Sequence, residues 1–394
     1  MRRVGWLLAL ATFGVSGIAH AYPFMIREGY TQCATCHTDP SGGTFLNEYG
    51  RAQSELLLSS SYGSQDDSSD TSSGEPTAGR FLGFLPLPSW FRPGGWVREG
   101  YIWNFAGGSL VDHRVLQMRA DIGADIKIGA FRAAAMLGYA SADGATFTQL
   151  AQVTRSDGAN LVAREFWAGV ELFGGDALLR AGRMNVPFGL RNIEHTSFVR
   201  TATLTDTNQD QQYGVAFAIS KPTWRAEVMA LLGNYSVHPD AYRERGASGY
   251  VEFALAPTSA VGISALAARS DASLVTRLPT LRQAYGTFLR TSPWHPLVLQ
   301  AELDLLLDKE LGTGPLDVGH AEWLQADLEV VRGVHLVAAL EGMKAGGVPG
   351  LQRGVWAGLW WFVIPHLDMR ADVIERGGQG PSNMTVLFQL NGYL

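Results

Sequence analysis

The chain has only two cysteines in 394 residues, Cys33 and Cys36, which excludes both a disulfide framework and a four-thiolate zinc site. Charge is sparse as well: 17% of residues are charged and the net charge is −6, which argues against a nucleic-acid partner. Long apolar runs are also missing. The longest opens the chain, where Arg2 and Arg3 precede an apolar stretch from Val4 to Val15 and a small-x-small end at Ala19-His20-Ala21. That pattern reads as a signal peptide over residues 1–21, too short to span a membrane as a helix. Its removal leaves Tyr22 as the mature start and deepens the net charge from −6 to −8. A chain that is 46% hydrophobic without one spanning helix must distribute its apolar residues in another pattern.

The two cysteines stand together in Cys33-Ala34-Thr35-Cys36-His37. Two thiols at this spacing suit thioethers to the two vinyl groups of a haem, with His37 as the proximal iron ligand. A thioredoxin-like redox role would need a βαβ context that the flanking sequence does not offer; a chance pentapeptide or a simple periplasmic disulfide is the alternative, and the expectation is one covalent haem c. Export agrees with it, because in the c-type cytochromes that this pentapeptide resembles, haem is attached outside the cytoplasm.

Residues 22–58 then form a monohaem segment, short enough to need the haem as a staple. Gly42-Gly43 reads as a turn and Thr44 as an N-cap, with Phe45, Tyr49, Ala52 and Leu56 forming an apolar helical face against the porphyrin or the rest of the chain. No methionine or histidine lies between Thr38 and Arg80, so the usual downstream axial ligand is missing. The distal position falls to Met25, to the α-amino group of Tyr22, to a residue of the second half such as His195, or to nothing. Tyr22-Pro23-Phe24 ahead of the motif resembles the mature start of cytochrome f, where the tyrosine amine ligates iron. Residues 59–80, with eight serines and the acids Asp66, Asp67, Asp70 and Glu75, read as a disordered serine-rich linker.

From residue 81 to 394 the pattern is alternation. Met118, Ala120, Ile122, Ala124, Ile126 and Ile128 are apolar, with Arg119, Asp121, Asp125 and Lys127 between them. A period of two over about eleven residues is the length of a tilted transmembrane strand. The pattern predicts sixteen strands near 96–105, 114–128, 131–142, 160–173, 177–187, 211–219, 224–234, 247–256, 259–269, 280–290, 296–307, 320–331, 334–343, 353–363, 367–376 and 383–393. Tight turns at Gly129-Ala130, Gly174-Gly175-Asp176, Ser220-Lys221-Pro222, Ala256-Pro257-Thr258, Ser292-Pro293, Arg332-Gly333 and Pro365-His366 alternate with longer polar loops, as in outer-membrane barrels. The tryptophans fall near strand ends, where interfacial girdles are needed, and the last strand resembles the terminal strand of outer-membrane proteins. The fold expected is an all-β transmembrane antiparallel barrel with a small helical haem-binding segment, in the outer membrane of a Gram-negative bacterium.

One long loop follows the fifth strand, from Pro187 to Asp210. In general porins the loop at this ordinal position folds into the lumen, and by that resemblance Arg191, Glu194, His195 and Arg200 form a constriction; the other reading is a solvated outer loop. Among the remaining histidines, His113, His238, His320 and His335 read as loop or lumen polar groups.

Leader, single C-x-x-C-H, linker and barrel together resemble the fused monohaem cytochrome–porins, which include outer-membrane iron-oxidising cytochromes. The resemblance implies electron transfer between an extracellular donor or acceptor, with ferrous iron as one donor, and a periplasmic c-type carrier, with lipid as the barrel's surroundings. One porphyrin cannot bridge an apolar band about 25 Å tall, so the haem sits in the lumen as a plug or small donors travel to it. Two other classes stay open: a passive porin for small solutes, suggested by Arg183, Arg191 and Arg200, and a haem peroxidase using a vacant sixth site.

Overall fold

The structure is a computed structural model and describes residues 23–40, 42–43, 45–60, 80–81, 85–140, 153–154, 158–194, 196–207, 210–273, 276–312, 314–347, 349–378 and 380–393. The leader, Tyr22, Thr44, His195 and most of the serine-rich stretch lie outside them.

Sixteen antiparallel strands close into one barrel. In chain order they are β1 (Phe91–Ala106), β2 (Ser109–Ile128), β3 (Phe131–Ala140), β4 (Asn160–Leu172), β5 (Ala177–Met184), β6 (Gln212–Lys221), β7 (Trp224–Gly233) and β8 (Arg245–Ala256). They continue as β9 (Ser259–Ser270), β10 (Thr280–Trp294), β11 (Leu297–Glu310), β12 (Leu316–Val331), β13 (Val334–Lys344), β14 (Gln352–Ile364), β15 (Leu367–Gly378) and β16 (Gly380–Tyr393). Each strand pairs with its chain neighbours, and β16 returns to β1 with Tyr393 opposite Trp96 and Asn383 opposite Ala106. No backbone edge is left open, which is what a sheet in lipid requires.

Alternation sets the two faces. On β11, Val298, Gln300, Glu302 and Asp304 point inward and are buried, whereas Leu303 and Leu305 face outward and are half exposed. On β13 and β14 the outward set is Leu336, Leu340, Val355 and Leu359, and the inward set includes His335, Glu341 and Trp360. The outside is an apolar belt and the lumen is charged and hydrogen-bonded, the arrangement of a transmembrane barrel.

Three expectations need correction. The fifth tight turn is His295-Pro296 rather than Ser292-Pro293, because β10 runs to Trp294 and a register shift between Thr291 and Trp294 leaves Pro293 outside the ladder. The connections after β1 and β15 are short, not long: Gly107-Gly108 joins β1 to β2, and the outer end of β2 is exposed on both faces, where alternation no longer marks a strand. The tryptophans divide. Trp90, Trp294 and Trp361 face outward as a girdle should, but Trp96, Trp167, Trp323, Trp356 and Trp360 are buried inside. Three of the inner indoles donate to carboxylates, Trp167 to Glu165, Trp356 to Glu341 and Trp360 to Asp368, each at 2.8 Å.

Residues 23–60 enter the barrel at the end carrying the tight turns. Helix α1 (Glu48–Leu58) is capped by Asn47, whose Oδ1 accepts from the Gly50 N–H at 2.9 Å. The helix therefore begins beyond the expected Thr44 cap, and Phe45 lies ahead of it, with its ring 5.6 Å from that of Trp96 on the barrel wall. Tyr49 is 46% exposed, so the expected apolar face is not formed as predicted. Ser59 and Ser60 belong to the packed segment rather than to a linker: the Ser60 N–H donates to the Phe362 carbonyl at 2.9 Å and its hydroxyl to the Arg332 carbonyl at 3.1 Å.

Candidate functional site

The C-x-x-C-H residues form one tight helical turn. Cys33 to Thr35 are 3₁₀, and the Cys33 carbonyl accepts from the N–H groups of Cys36 at 3.1 Å and His37 at 2.8 Å. Asn47 holds this turn from the other side: its N–H donates to the Cys36 carbonyl at 2.8 Å and its amide to the Thr35 carbonyl at 2.9 Å. Helix α1 crosses directly above, so close that a Cβ on Gly50 would lie 2.3 Å from the Cys36 carbonyl oxygen. Only glycine fits there.

Both cysteines line one inner cavity. The same cavity takes Met25 and Tyr30 from the N-terminal segment, Trp96, Arg98, Arg119, Arg225, Arg290, Trp360 and Arg370 from the wall, and Leu190 to Ile193 from the long loop. Cys36 is buried and Cys33 half-buried; burial, and then the neighbouring Cys33, push the Cys36 thiol up to about 12, so it stays protonated at neutral pH. His37, also buried, borders a second cavity at the tight-turn rim beside Arg92, Lys127, Arg132 and Glu171.

The segment is fastened to the wall along its length. The Phe24 ring lies 4.8 Å from that of His335 and 5.8 Å from that of Trp360. His335, buried in the lumen as a polar group, meets Asp327 through Nδ1 at 2.7 Å. Arg27 pairs with Glu329 at 2.9 Å, Asp39 with Arg180 at 2.9 Å, and Arg51 donates to the Pro93 carbonyl at 2.8 Å. Arg225 and Arg290 donate to the carbonyls of Pro40 and Thr31 at 3.3 and 2.6 Å.

The long loop folds into the lumen from the opposite end and carries the short helix α2 (Phe198–Thr203). Wall carboxylates accept from its backbone: Glu302 from Leu190 at 3.0 Å and Glu341 from Phe198 at 2.8 Å. Arg200 pairs with Glu302 at 2.5 Å and Arg370 bonds Glu194. Gly189, at φ +63°, passes so near the wall that a Cβ would meet Glu302 Oε1 at 1.8 Å. The loop separates the inner cavity from an outer one bordered by Glu194, Thr196, Asp206, Trp356 and Arg376, and Arg98 borders both.

The residues expected at the site are thus partly assembled. Cys33, Cys36 and Met25 share a cavity with Arg191, and His37 sits on the same turn as the thiols. Arg200 and Glu194 do not present free charge to a passing solute: Arg200 is fully buried in its pair with Glu302, and burial pushes the Glu194 carboxyl above its usual range although Arg370 is bonded to it. Arg183 is likewise buried, donating to Asn234 at 2.7 Å. Tyr22 and His195 lie outside the described residues. Asn47, Asp39, Arg225 and Arg290 were missed by sequence reasoning. Asn47 carried a readable signal, an N-cap residue three before Gly50, and the arginines occupy inward positions of alternating strands.

Two cysteines on one turn line a cavity whose aromatic and arginine walls, Trp96, Trp360, Arg98 and Arg225 among them, suit a flat apolar ring bearing carboxylates. Cys33 and Cys36 would be the attachment points of such a group and Met25 shares their cavity, while the adjacent His37 borders the second cavity.

No family model matches the chain, and no curated protein matches it. Solved structures do. The outer-membrane-expressed OmpT of Vibrio cholerae is similar at TM-score 0.60 and 11% identity, covering 77% of this chain and 97% of that one. An anion-selective porin from Comamonas acidovorans is similar at TM-score 0.56 and 12% identity, over 77% and 99% of the two chains. The outer membrane channel DcaP of Acinetobacter baumannii is similar at TM-score 0.53 and 10% identity, over 76% and 96%. The chain therefore has the sixteen-stranded barrel fold of outer-membrane porins and channels.

Proposed function

We propose that this chain is an outer-membrane electron carrier in the manner of the fused monohaem cytochrome–porins, holding one haem c on Cys33 and Cys36 with His37 as proximal ligand. It passes electrons between an extracellular donor, ferrous iron among them, and a periplasmic c-type carrier. The observation that carries this reading is that both thiols of the motif open into a chamber inside the barrel rather than onto an external domain.

When bound, the haem supplies a one-electron redox centre. The protein does the rest. Tight turns mark the periplasmic end of such barrels, so the N-terminal segment seated among them closes that mouth. Phe24 and Phe45 dock it on the wall and exclude water there. Met25 brings a thioether to the cavity, and the arginines of its wall are mostly paired with carboxylates, Arg119 with Asp121, Arg225 and Arg290 with Glu252 and Arg370 with Asp372, so the lining is polar but largely charge-balanced. From the opposite end the outer cavity lets a small aqueous donor approach as far as the loop, within the height of the apolar band. Pore and redox centre then share one lumen.

The test is a redox-difference spectrum of protein purified from a host that matures c-type cytochromes, followed by ferrous iron without oxygen. The reading predicts a covalent haemochrome that ferrous iron reduces. A passive porin remains the competing reading, since one similar structure is an anion-selective porin and arginines line this lumen; absence of covalent haem together with stable anion-selective conductance selects it.

A further inference from the structure

Arg191 and Asn192 stand out in the inner cavity. Arg191 adopts φ +55°, a left-handed conformation unfavourable for a long side chain, and its guanidinium is 93% buried. Yet neither terminal nitrogen makes a hydrogen bond; its nearest carboxylate, Asp39, is 4.0 Å away and already bonded to Arg180 at 2.9 Å. The next residue repeats the pattern. Asn192 is 3% exposed, and both its amide nitrogen and its oxygen lack a partner. Buried donors left unsatisfied are costly, and a guanidinium fork most of all. Four arginines of the loop and the adjoining wall show the contrast: Arg200 and Arg370 hold carboxylates, and Arg225 and Arg290 share Glu252.

Both residues line the cavity onto which Cys33 and Cys36 open. We infer that Arg191 and Asn192 form a clamp for a carboxylate inside that cavity. In the haem reading proposed above, on which this assignment rests for the source of the carboxylate, it is a propionate of the attached haem. The guanidinium supplies a planar pair of donors and the Asn192 amide a further one, the geometry that carboxylates take. The clamp gives a reason for the strained backbone, since Arg191 borders the cavity of the cysteine pair and not the outer one. It also makes the infolded loop part of the cofactor site rather than a filter for solutes.

The full chain, haem-loaded, is titrated spectroelectrochemically as wild type, Arg191→Asn, Arg191→Lys and Asn192→Leu. Asparagine tolerates positive φ, so Arg191→Asn tests charge without adding strain, and heat-modifiable gel mobility checks that the barrel is folded. Removing the cation leaves an uncompensated negative charge beside the iron, so the midpoint potential falls in Arg191→Asn, falls less in Asn192→Leu and stays near wild type in Arg191→Lys. An unchanged potential in Arg191→Asn with haem retained overturns the clamp. If the wild type carries no haem, the electron-transfer reading fails separately, and the clamp is decided in the same barrels by reversal potential in a potassium acetate gradient. Loss of anion preference in Arg191→Asn then assigns it to a free carboxylate, and equal selectivity overturns it.

Discussion

Two pieces of chain fill this lumen from opposite ends, and the wall holds them by opposite chemistry. Toward the N-terminal segment it presents guanidinium groups that donate to backbone carbonyls, as Arg225 and Arg290 do to Pro40 and Thr31, with the rings of Phe24 and Phe45 packed between. Toward the long loop it presents carboxylates that accept from backbone N–H groups, Glu302 and Glu341, together with the buried pairs Arg200–Glu302 and Arg370–Glu194. The segment is held by many contacts of which the apolar ones weigh most, and the loop by a few charges whose removal one at a time leaves a partner stranded.

That difference can be broken one side at a time. Arg200→Ala leaves Glu302 buried without its cation, and about 3–5 kcal/mol of loop attachment is lost; single-channel conductance should rise while trypsin still fails to cut at Arg27 and Arg51, and cleavage there would erase the distinction. Phe24→Ala does the converse, at about 3 kcal/mol, the lower end for truncating a buried ring. It should open Arg27 and Arg51 to trypsin without raising the conductance through the loop. Gly50→Ala forces α1 off the Cys36 carbonyl at about 1–3 kcal/mol, and the haem-to-chain ratio should drop in a haemochrome assay; full loading would show that α1 does not brace the motif. Asn47→Ala removes the cap and the brace at about 1 kcal/mol, visible as a small loss of thermal stability in the segment alone.

The gentlest change is in pH. Burial, and then the Asp206 carboxylate, raise Asp210 to about 7, against about 3.9 for a free aspartate. The folded loop binds the extra proton, so its attachment is full below pH about 4 and weakens as pH rises toward about 7, with Arg282 offsetting part of the penalty. Conductance noise should grow across that window and flatten in Asp210→Asn; a window at another pH would refute the assignment.

The barrel was legible because its physics is periodic. Inward and outward positions alternate along most strands, so sixteen strands and all but one of the tight turns follow from the pattern, the exception being the turn at His295-Pro296. The cysteine pair was legible as a motif, and the infolding of the loop from its ordinal place. What remained hidden depends on contacts between distant residues. No local signal tells that Arg200 bonds Glu302 while Arg191 comes no nearer than 4.0 Å to a carboxylate, or that Phe45 lies ahead of the helix against Trp96. Nor does alternation reveal that five tryptophans turn inward, three of them to meet lumen carboxylates, because an indole suits either face of a strand near an interface.

The central claim is that one lumen-held redox centre connects the two sides of the membrane. It is tested most directly in proteoliposomes that enclose a soluble c-type cytochrome, with anaerobic ferrous iron added only outside. The account predicts reduction of the enclosed cytochrome by the wild type and none by Cys33→Ala. Equal rates in the two, or no reduction by a haem-loaded wild type, would contradict it.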